Sequence, residues 1–167
     1  FKIKNKYTTE EEILNAEEID AVLILTPHYN HSDLVMKALN KGKAVYVEKP
    51  LALDLQSITD IEESIYRSEN PKLFIGFNRR FSQAAQFVKQ KLINNPANSI
   101  NLRFSVPPLD SDHWTNIKEI GGGRIVGEAV HGIDIACYLF DSLPQSISAS
   151  APIDKTNNVV KDNQVFL

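Results

Sequence analysis

The sequence predicts an α/β fold: a parallel sheet carrying helices, followed by part of an α+β domain with an open sheet. Three observations predict it. Short continuous apolar runs at residues 21–25, 44–47 and 73–75 alternate with stretches of helical period. Continuous rather than alternating apolarity marks strands buried on both faces, as in a parallel sheet. After Phe81 the pattern changes, and residues 100–106 alternate apolar with polar, the mark of a half-solvated strand.

The elements follow in order. In Thr8-Thr9-Glu10-Glu11-Glu12 either threonine has a glutamate three residues on, a capping box that starts a helix with Ile13, Leu14 and Ile19 on its apolar side. Ala21-Val22-Leu23-Ile24-Leu25 is the first strand, ended by Thr26-Pro27. A helix over 32–40 places Leu34, Val35, Ala38 and Leu39 inward and stops at Gly42. The strand Lys43-Ala44-Val45-Tyr46-Val47 ends at Glu48-Lys49-Pro50. Asp54 caps a third helix with Leu55, Ile58, Ile61 and Ile65 as its apolar positions, and Leu73-Phe74-Ile75 is the third strand. Strand–helix–strand–helix–strand is a right-handed parallel unit, and ligands collect at the carboxyl edge of such sheets. The loops at 26–31, 48–51 and 76–80 are therefore expected to converge there. Beyond Phe81 the sequence predicts a helix through Phe87, Val88, Lys91 and Leu92, a strand over 100–106, a polar loop containing His113 and Trp114, and a helix from the triglycine 121–123 to about Phe140. Further strands are expected at 146–151 and 162–167. A domain boundary falls near 76–81, giving residues 1–78 and 79–167.

Composition narrows the function classes. The hydrophobic fraction is 43%, the charged fraction 23% and the net charge −3, which leaves no basic footprint for nucleic acid. No apolar stretch approaches the ~20 residues that cross a bilayer, and no partner membrane is expected. The lone Cys137 forms no internal disulfide, in keeping with a reducing, cytoplasmic setting.

Four groups of residues are able to carry chemistry. Lys49, at a strand end and followed by proline, has its backbone fixed in extended geometry. Such a lysine either orients a substrate hydroxyl and stabilises charge on it, or is a surface lysine before a turn. On a helix, Glu128, His131 and Asp134 are spaced three apart along one face. Imidazole accepts protons near neutral pH, and the competing reading is a histidine whose carboxylate neighbours satisfy local hydrogen bonds. His28 and His31, with His113, invite a metal, but the spacing lacks a metal-binding helix pattern and a cysteine cluster, so no metal is expected. Asn78-Arg79-Arg80 is the one dense basic spot, suited to an anionic substrate group, a cofactor phosphate or an ion pair. Trp114 offers a stacking wall for a sugar, or anchors its own loop.

Taken together, these segments resemble the Gfo/Idh/MocA oxidoreductases. The resemblance rests on the order of Asp20-Ala21-Val22, Thr26-Pro27 and His31, then Gly42-Lys43, Glu48-Lys49-Pro50-Leu51, Gly76-Phe77-Asn78-Arg79-Arg80-Phe81, and the triglycine followed by His131 and Asp134. The wording around Asn78-Arg79-Arg80, His113-Trp114 and Gly-Gly-Gly-Arg is similar to a subgroup fused to a zinc-type alcohol dehydrogenase domain. The resemblance implies a partial Rossmann-like parallel sheet followed by part of an α+β open-sheet domain. It implies NAD or NADP at the strand ends, with Thr26, Pro27, His31, Glu48, Lys49, Pro50 and Asn78 at the nicotinamide side. Lys49 is then the active-site lysine, His131 the acid/base, and Glu128 its carboxylate partner. Arg79, Trp114 and Asp134 contact a sugar, nucleotide-sugar or cyclitol substrate. Two departures stand out. Gly127 occupies the place where the family's dehydrogenases commonly have an aspartate, and no Gly-x-Gly-x-x-Gly loop occurs. Without that loop tight dinucleotide binding, and so activity, is not expected of this chain alone. The open sheet edges favour a homodimer. The alternative function on the same scaffold is a non-catalytic sugar- or cofactor-sensing regulator.

Overall fold

The structure is a computed structural model that describes residues 3, 5–96, 99–105, 107, 109–110 and 112–150. The chain divides into two compact units, Phe1–Gly76 and Phe77–Leu167.

The first unit is the parallel α/β unit expected. Helix α1, Glu10–Asn15, starts at Thr9, whose hydroxyl accepts from the Glu12 amide at 3.3 Å while the Glu12 carboxylate accepts from the Thr9 amide at 3.2 Å. Strand β1 is Ala21–Ile24, helix α2 His31–Asn40, strand β2 Ala44–Val47, helix α3 Leu55–Arg67 and strand β3 Leu73–Ile75. The strands are parallel in the order β1-β2-β3, with Val22 opposite Val45 and Val45 opposite Leu73. Asp54 caps α3 by accepting from the Ser57 amide at 2.8 Å. That bond, with one from the Ser57 hydroxyl, holds its carboxyl below the usual range. Gly42 carries a left-handed φ of 70° in the turn between α2 and β2.

One face of the sheet is dry. Ile24, Val45 and Val47 join Leu14, Val35, Ala38, Leu39 and Ile61 in a single core, with Val22, Leu73 and Ile75 at its margin. The other face corrects the sequence reading. Leu23 is 68% exposed, Leu25 64% and Phe74 49%, so the strands are not buried on both sides. Apolar runs of this kind record what a strand requires. Among the described residues, however, the helical cover of this unit lies in one core on one side. Leu55 is also exposed, although its spacing placed it on the apolar side of α3.

The described part of the second unit is helical. A 3-10 turn at Asn78–Phe81 leads into α4, Gln83–Asn94, capped by the Ser82 hydroxyl accepting from Ala85 at 3.2 Å. A second 3-10 turn, Trp114–Asn116, precedes α5, Lys118–Gly121. A π-helical turn at Ile125–Ala129 then runs directly into α6, Val130–Phe140. The strand expected at 100–106 is not formed over 100–105, and none is formed over 146–149, although Ser150 makes one bridge. A strand exists only through a partner ladder. Alternation records a face that suits a sheet, not the presence of a neighbour. The strand expected at 162–167 lies outside the described residues, as do Val106 and Ala151.

The core assignment has a direct check. Ile61, 1% exposed, sits among the α2 and β2 side chains. Ile61→Ala is expected to cost about 2–5 kcal/mol in denaturant unfolding, through lost burial and the cavity left behind. Leu55→Ala, at a site 86% exposed, is expected to stay within about 0.5 kcal/mol.

Candidate active site

In the first unit the ladder continues past the strands and fixes where their loops begin. The Glu48 amide donates to the Ile24 carbonyl at 3.0 Å, and the Gly76 amide to the Val47 carbonyl at 2.8 Å. Residues 25–27, 48–50 and 76 therefore leave the same carboxyl edge side by side. That edge is where parallel sheets bind ligands. Thr26 and Pro27 are exposed there, Glu48 and Lys49 are half-buried, and Pro50 is buried behind a cis peptide bond from Lys49.

His31 locks two of these loops together. Its side chain is fully buried at the start of α2. Nδ1 lies 2.7 Å from the Pro50 carbonyl oxygen and Nε2 lies 2.9 Å from that of Thr26. A ring carrying two protons donates to both carbonyls, whereas a ring carrying one donates to one and faces the other. Either way the ring is engaged by main chain on both sides. The resemblance put His31 among cofactor contacts; the geometry makes it a positioning residue for the loops at 26 and 50. The His28 ring, also buried, packs 5.6 Å away at a tilt of 57°. Among the described residues no three His, Cys, Asp or Glu side chains gather as a metal site.

Glu48 has a neighbour that sequence reading missed. The Tyr46 hydroxyl donates to Glu48 Oε1 at 2.9 Å, and its ring stacks on Phe74 at 5.6 Å. Burial, and then the bond to Glu48, push the Tyr46 phenol above its usual value. Gly76 makes this contact fit: a Cβ there would lie 2.7 Å from the Tyr46 oxygen and 3.1 Å from the Glu48 carboxyl. Residues two apart on a strand share a face, so the Tyr46–Glu48 pairing was legible in principle.

In the second unit the triglycine has a packing cause. A Cβ on Gly121 would come within 2.2 Å of the Thr115 Cα, so only glycine lets α5 close against the 114–116 turn. Gly122 then ends α5 with a left-handed φ of 74°. The chain re-enters helix, and the buried face of that run carries Arg124, Gly127, His131, Asp134 and Ile135. His131 is 4% exposed and meets the Phe77 ring edge-on at 6.5 Å.

The acidic residues around His131 separate in role. Asp134 is buried and paired with Arg80: Nε donates to Oδ2 at 3.1 Å, and a second, shorter bond joins Nη2 to Oδ1. That hydrogen-bonded carboxylate raises the Arg80 guanidinium above its already high value. Asp134 thereby ties the 78–81 turn to α6, where the resemblance implied a substrate contact. Glu128 is half-exposed, with a carboxylate oxygen 3.7 Å from Arg79. Arg79 also lies over the Phe104 ring at 5.0 Å. Asn78 is exposed at the start of its turn. Trp114 is partly exposed, and the ring of His113 stacks on it at 5.9 Å. The His113 Nδ1 accepts from the Thr115 amide at 3.3 Å and caps the turn.

Comparison with known proteins places this arrangement. Residues 1–77 match the family described as the GFO_IDH_MocA oxidoreductase family, NAD-binding Rossmann fold. Over those residues the chain is similar to that family's NAD-binding domain. It is 30% identical over 151 residues to an inositol 2-dehydrogenase of Rhizobium meliloti strain 1021, covering 87% of this chain and 44% of that protein. It is 31% identical to a scyllo-inositol 2-dehydrogenase (NAD(+)) of Bacillus subtilis strain 168, covering 85% of this chain and 41% of that protein. Among solved structures, the myo-inositol dehydrogenase of Lactobacillus casei in complex with NAD(H) and myo-inositol superposes with a TM-score of 0.72 at 25% identity, over 92% of this chain and 44% of that one. The chain thus spans less than half the length of these family members.

The imidazole lock is testable by stability. His31→Ala strands two buried carbonyls and opens a void. It is expected to destabilise the protein by roughly 2–5 kcal/mol in urea unfolding, a loss too large for a residue whose only role is to touch a ligand.

Proposed function

We propose that this chain provides the catalytic part of a nicotinamide-dependent dehydrogenase that oxidises a secondary hydroxyl of a cyclitol or sugar. The observation that carries the reading is the set of loops held at the carboxyl edge of a parallel sheet: exposed Thr26 and Pro27 beside half-buried Glu48 and Lys49, braced by His31. Relatives named as inositol dehydrogenases, one solved with NAD(H) and myo-inositol, support the substrate class and NAD(H) as the cofactor. NADP(H) is the competitor in titration. Homodimerisation joins the reading, supported by the open edge of β1, which pairs with β2 alone among the described strands, and the lone Cys137 agrees with a reducing, cytoplasmic setting.

The residues at the strand ends fit a nicotinamide ring, since the edge offers exposed small groups and one amine. A bound nicotinamide would supply the acceptor for hydride from the carbinol carbon. The chain's own groups manage the oxygen and its proton. Lys49 donates hydrogen bonds to the substrate oxygen and stabilises negative charge as it develops. The His131 imidazole accepts the hydroxyl proton and returns it in the reverse direction. The buried Arg80–Asp134 pair fixes the helix that bears His131. Glu128, a helical turn before His131, offers the carboxylate that steadies the protonated ring. Arg79 and Trp114 line the sugar, and Asn78 stands with the cofactor loops.

The test is nicotinamide reduction with myo-inositol, scyllo-inositol and neutral hexoses by the full-length parent protein that carries this chain, followed by variants. Lys49→Ala and His131→Ala are each expected to lower kcat by about 10²–10⁴-fold, with cofactor affinity changed by no more than a few-fold in calorimetry. Unchanged turnover in both variants overturns the reading.

A further inference from the structure

Strand β2 carries a polar device on the open face of the sheet that the proposed mechanism leaves unused. Leu23, Tyr46 and Phe74 stand opposite one another in the ladder and form one row on that face. Glu48 and Gly76 follow two residues on, at the carboxyl edge, and side chains two apart on a strand share a face. The Tyr46 ring stacks on Phe74 at 5.6 Å, with 15° between the ring planes. Its hydroxyl reaches past that row and donates to Glu48 Oε1 at 2.9 Å.

The residues around that bond are shaped to it. A phenylalanine at position 46 would complete the apolar row equally well, so the hydroxyl has no packing role there. Glu48 is the first residue beyond β2, and its backbone is held by the amide bond to the Ile24 carbonyl at 3.0 Å. Gly76 supplies the room, since a Cβ there would lie 2.7 Å from the Tyr46 oxygen and 3.1 Å from the Glu48 carboxyl. Both polar groups therefore lie over the Gly76 backbone, at the edge where the loops diverge and where parallel sheets bind ligands. The phenol, raised above its usual value by burial and then by Glu48, keeps its proton at neutral pH and acts as the donor.

A glutamate side chain is among those that lose most rotamer freedom when fixed. A carboxylate that is already fixed spares a ligand that ordering. The phenol occupies one acceptor position of the carboxylate, which has others for a second donor. We propose that Tyr46 is a positioning residue: it holds the Glu48 carboxylate over Gly76 to accept from an N–H or O–H donor of the nicotinamide nucleoside, and so sets cofactor affinity without touching the cofactor. This rests on the dehydrogenase reading and deepens it.

The experiment is calorimetric titration of NAD+, with steady-state kinetics, on the full-length parent protein that carries this chain, in a double-mutant cycle of Tyr46→Phe and Glu48→Ala. Tyr46→Phe removes the hydroxyl and keeps the ring with its stack. It is expected to weaken NAD+ binding by about 3–10-fold, the size of one hydrogen bond, with KM for NAD+ rising in step and kcat held within about two-fold. In the Glu48→Ala background the same substitution is expected to change affinity by less than about two-fold, because no carboxylate remains to be held. A merely structural tyrosine gives equal losses in both backgrounds, and that result overturns the proposal. If Glu48→Ala fails to fold by circular dichroism, Gly76→Ala replaces it in the cycle. Its Cβ drives the phenol off Glu48, so Tyr46→Phe is expected to add nothing to it, and additive losses overturn the proposal. Titration of 3-acetylpyridine adenine dinucleotide, which lacks the amide donor, identifies the group held. A loss in Tyr46→Phe that persists with this analogue assigns the ribose hydroxyls, and a loss that vanishes assigns the carboxamide. Wild-type protein that binds NAD+ and oxidises myo-inositol, with Tyr46→Phe matching it, removes this inference alone. Wild-type protein that takes up no nicotinamide dinucleotide removes the dehydrogenase reading as well.

Discussion

His31 holds one carbonyl of the loop after β1 and one of the loop after β2, and the geometry of the sheet edge depends on that bridge. The strands themselves position only the first residue of each loop, through the amides of Glu48 and Gly76. Beyond those residues the ladder has no hold on the chain. A fully buried imidazole between Thr26 and Pro50 supplies the missing constraint. Thr26, Pro27 and Lys49 are then held by a side chain that no ligand needs to touch. Interactions of this kind orient the groups that meet a substrate, and misplacement by about 1 Å is enough to cost much of an enzyme's rate.

The second unit solves a related problem with glycine and charge. Gly121 allows a backbone approach no other residue permits, and Gly122 turns the chain so that a new helix can begin. That helix brings His131 into an environment closed by Phe77 and fixed by the Arg80–Asp134 pair. A buried carboxylate is tolerable here because Arg80 satisfies both of its oxygens.

Local signals were readable wherever the physics was local. The Thr9–Glu12 capping box, the Asp54 cap and the β1, β2 and β3 runs all involve residues within a few positions of one another, and each appears where the sequence put it. Expectations failed where a distant partner was required. Residues 100–105 alternate as a strand does, yet form no ladder. Leu23, Leu25 and Phe74 are apolar, yet lie on a face without helical cover among the described residues. The candidate site divides along the same line. Lys49 at a strand end and His131 on a helix were visible from spacing. Asp134 belongs to Arg80, and His31 to two carbonyls, through contacts spanning 54 and 19 residues.

By itself, then, the sequence determined the order of elements, the parallel hand of the unit, and the residue types gathered at strand ends and along one helix. Periodicity and capping are short-range properties, and they survive without knowledge of the fold. Tertiary structure decided which polar groups pair with which. Whether a histidine braces a loop or an aspartate pairs with an arginine depends on desolvation and on partners far along the chain, and neither is written in local pattern.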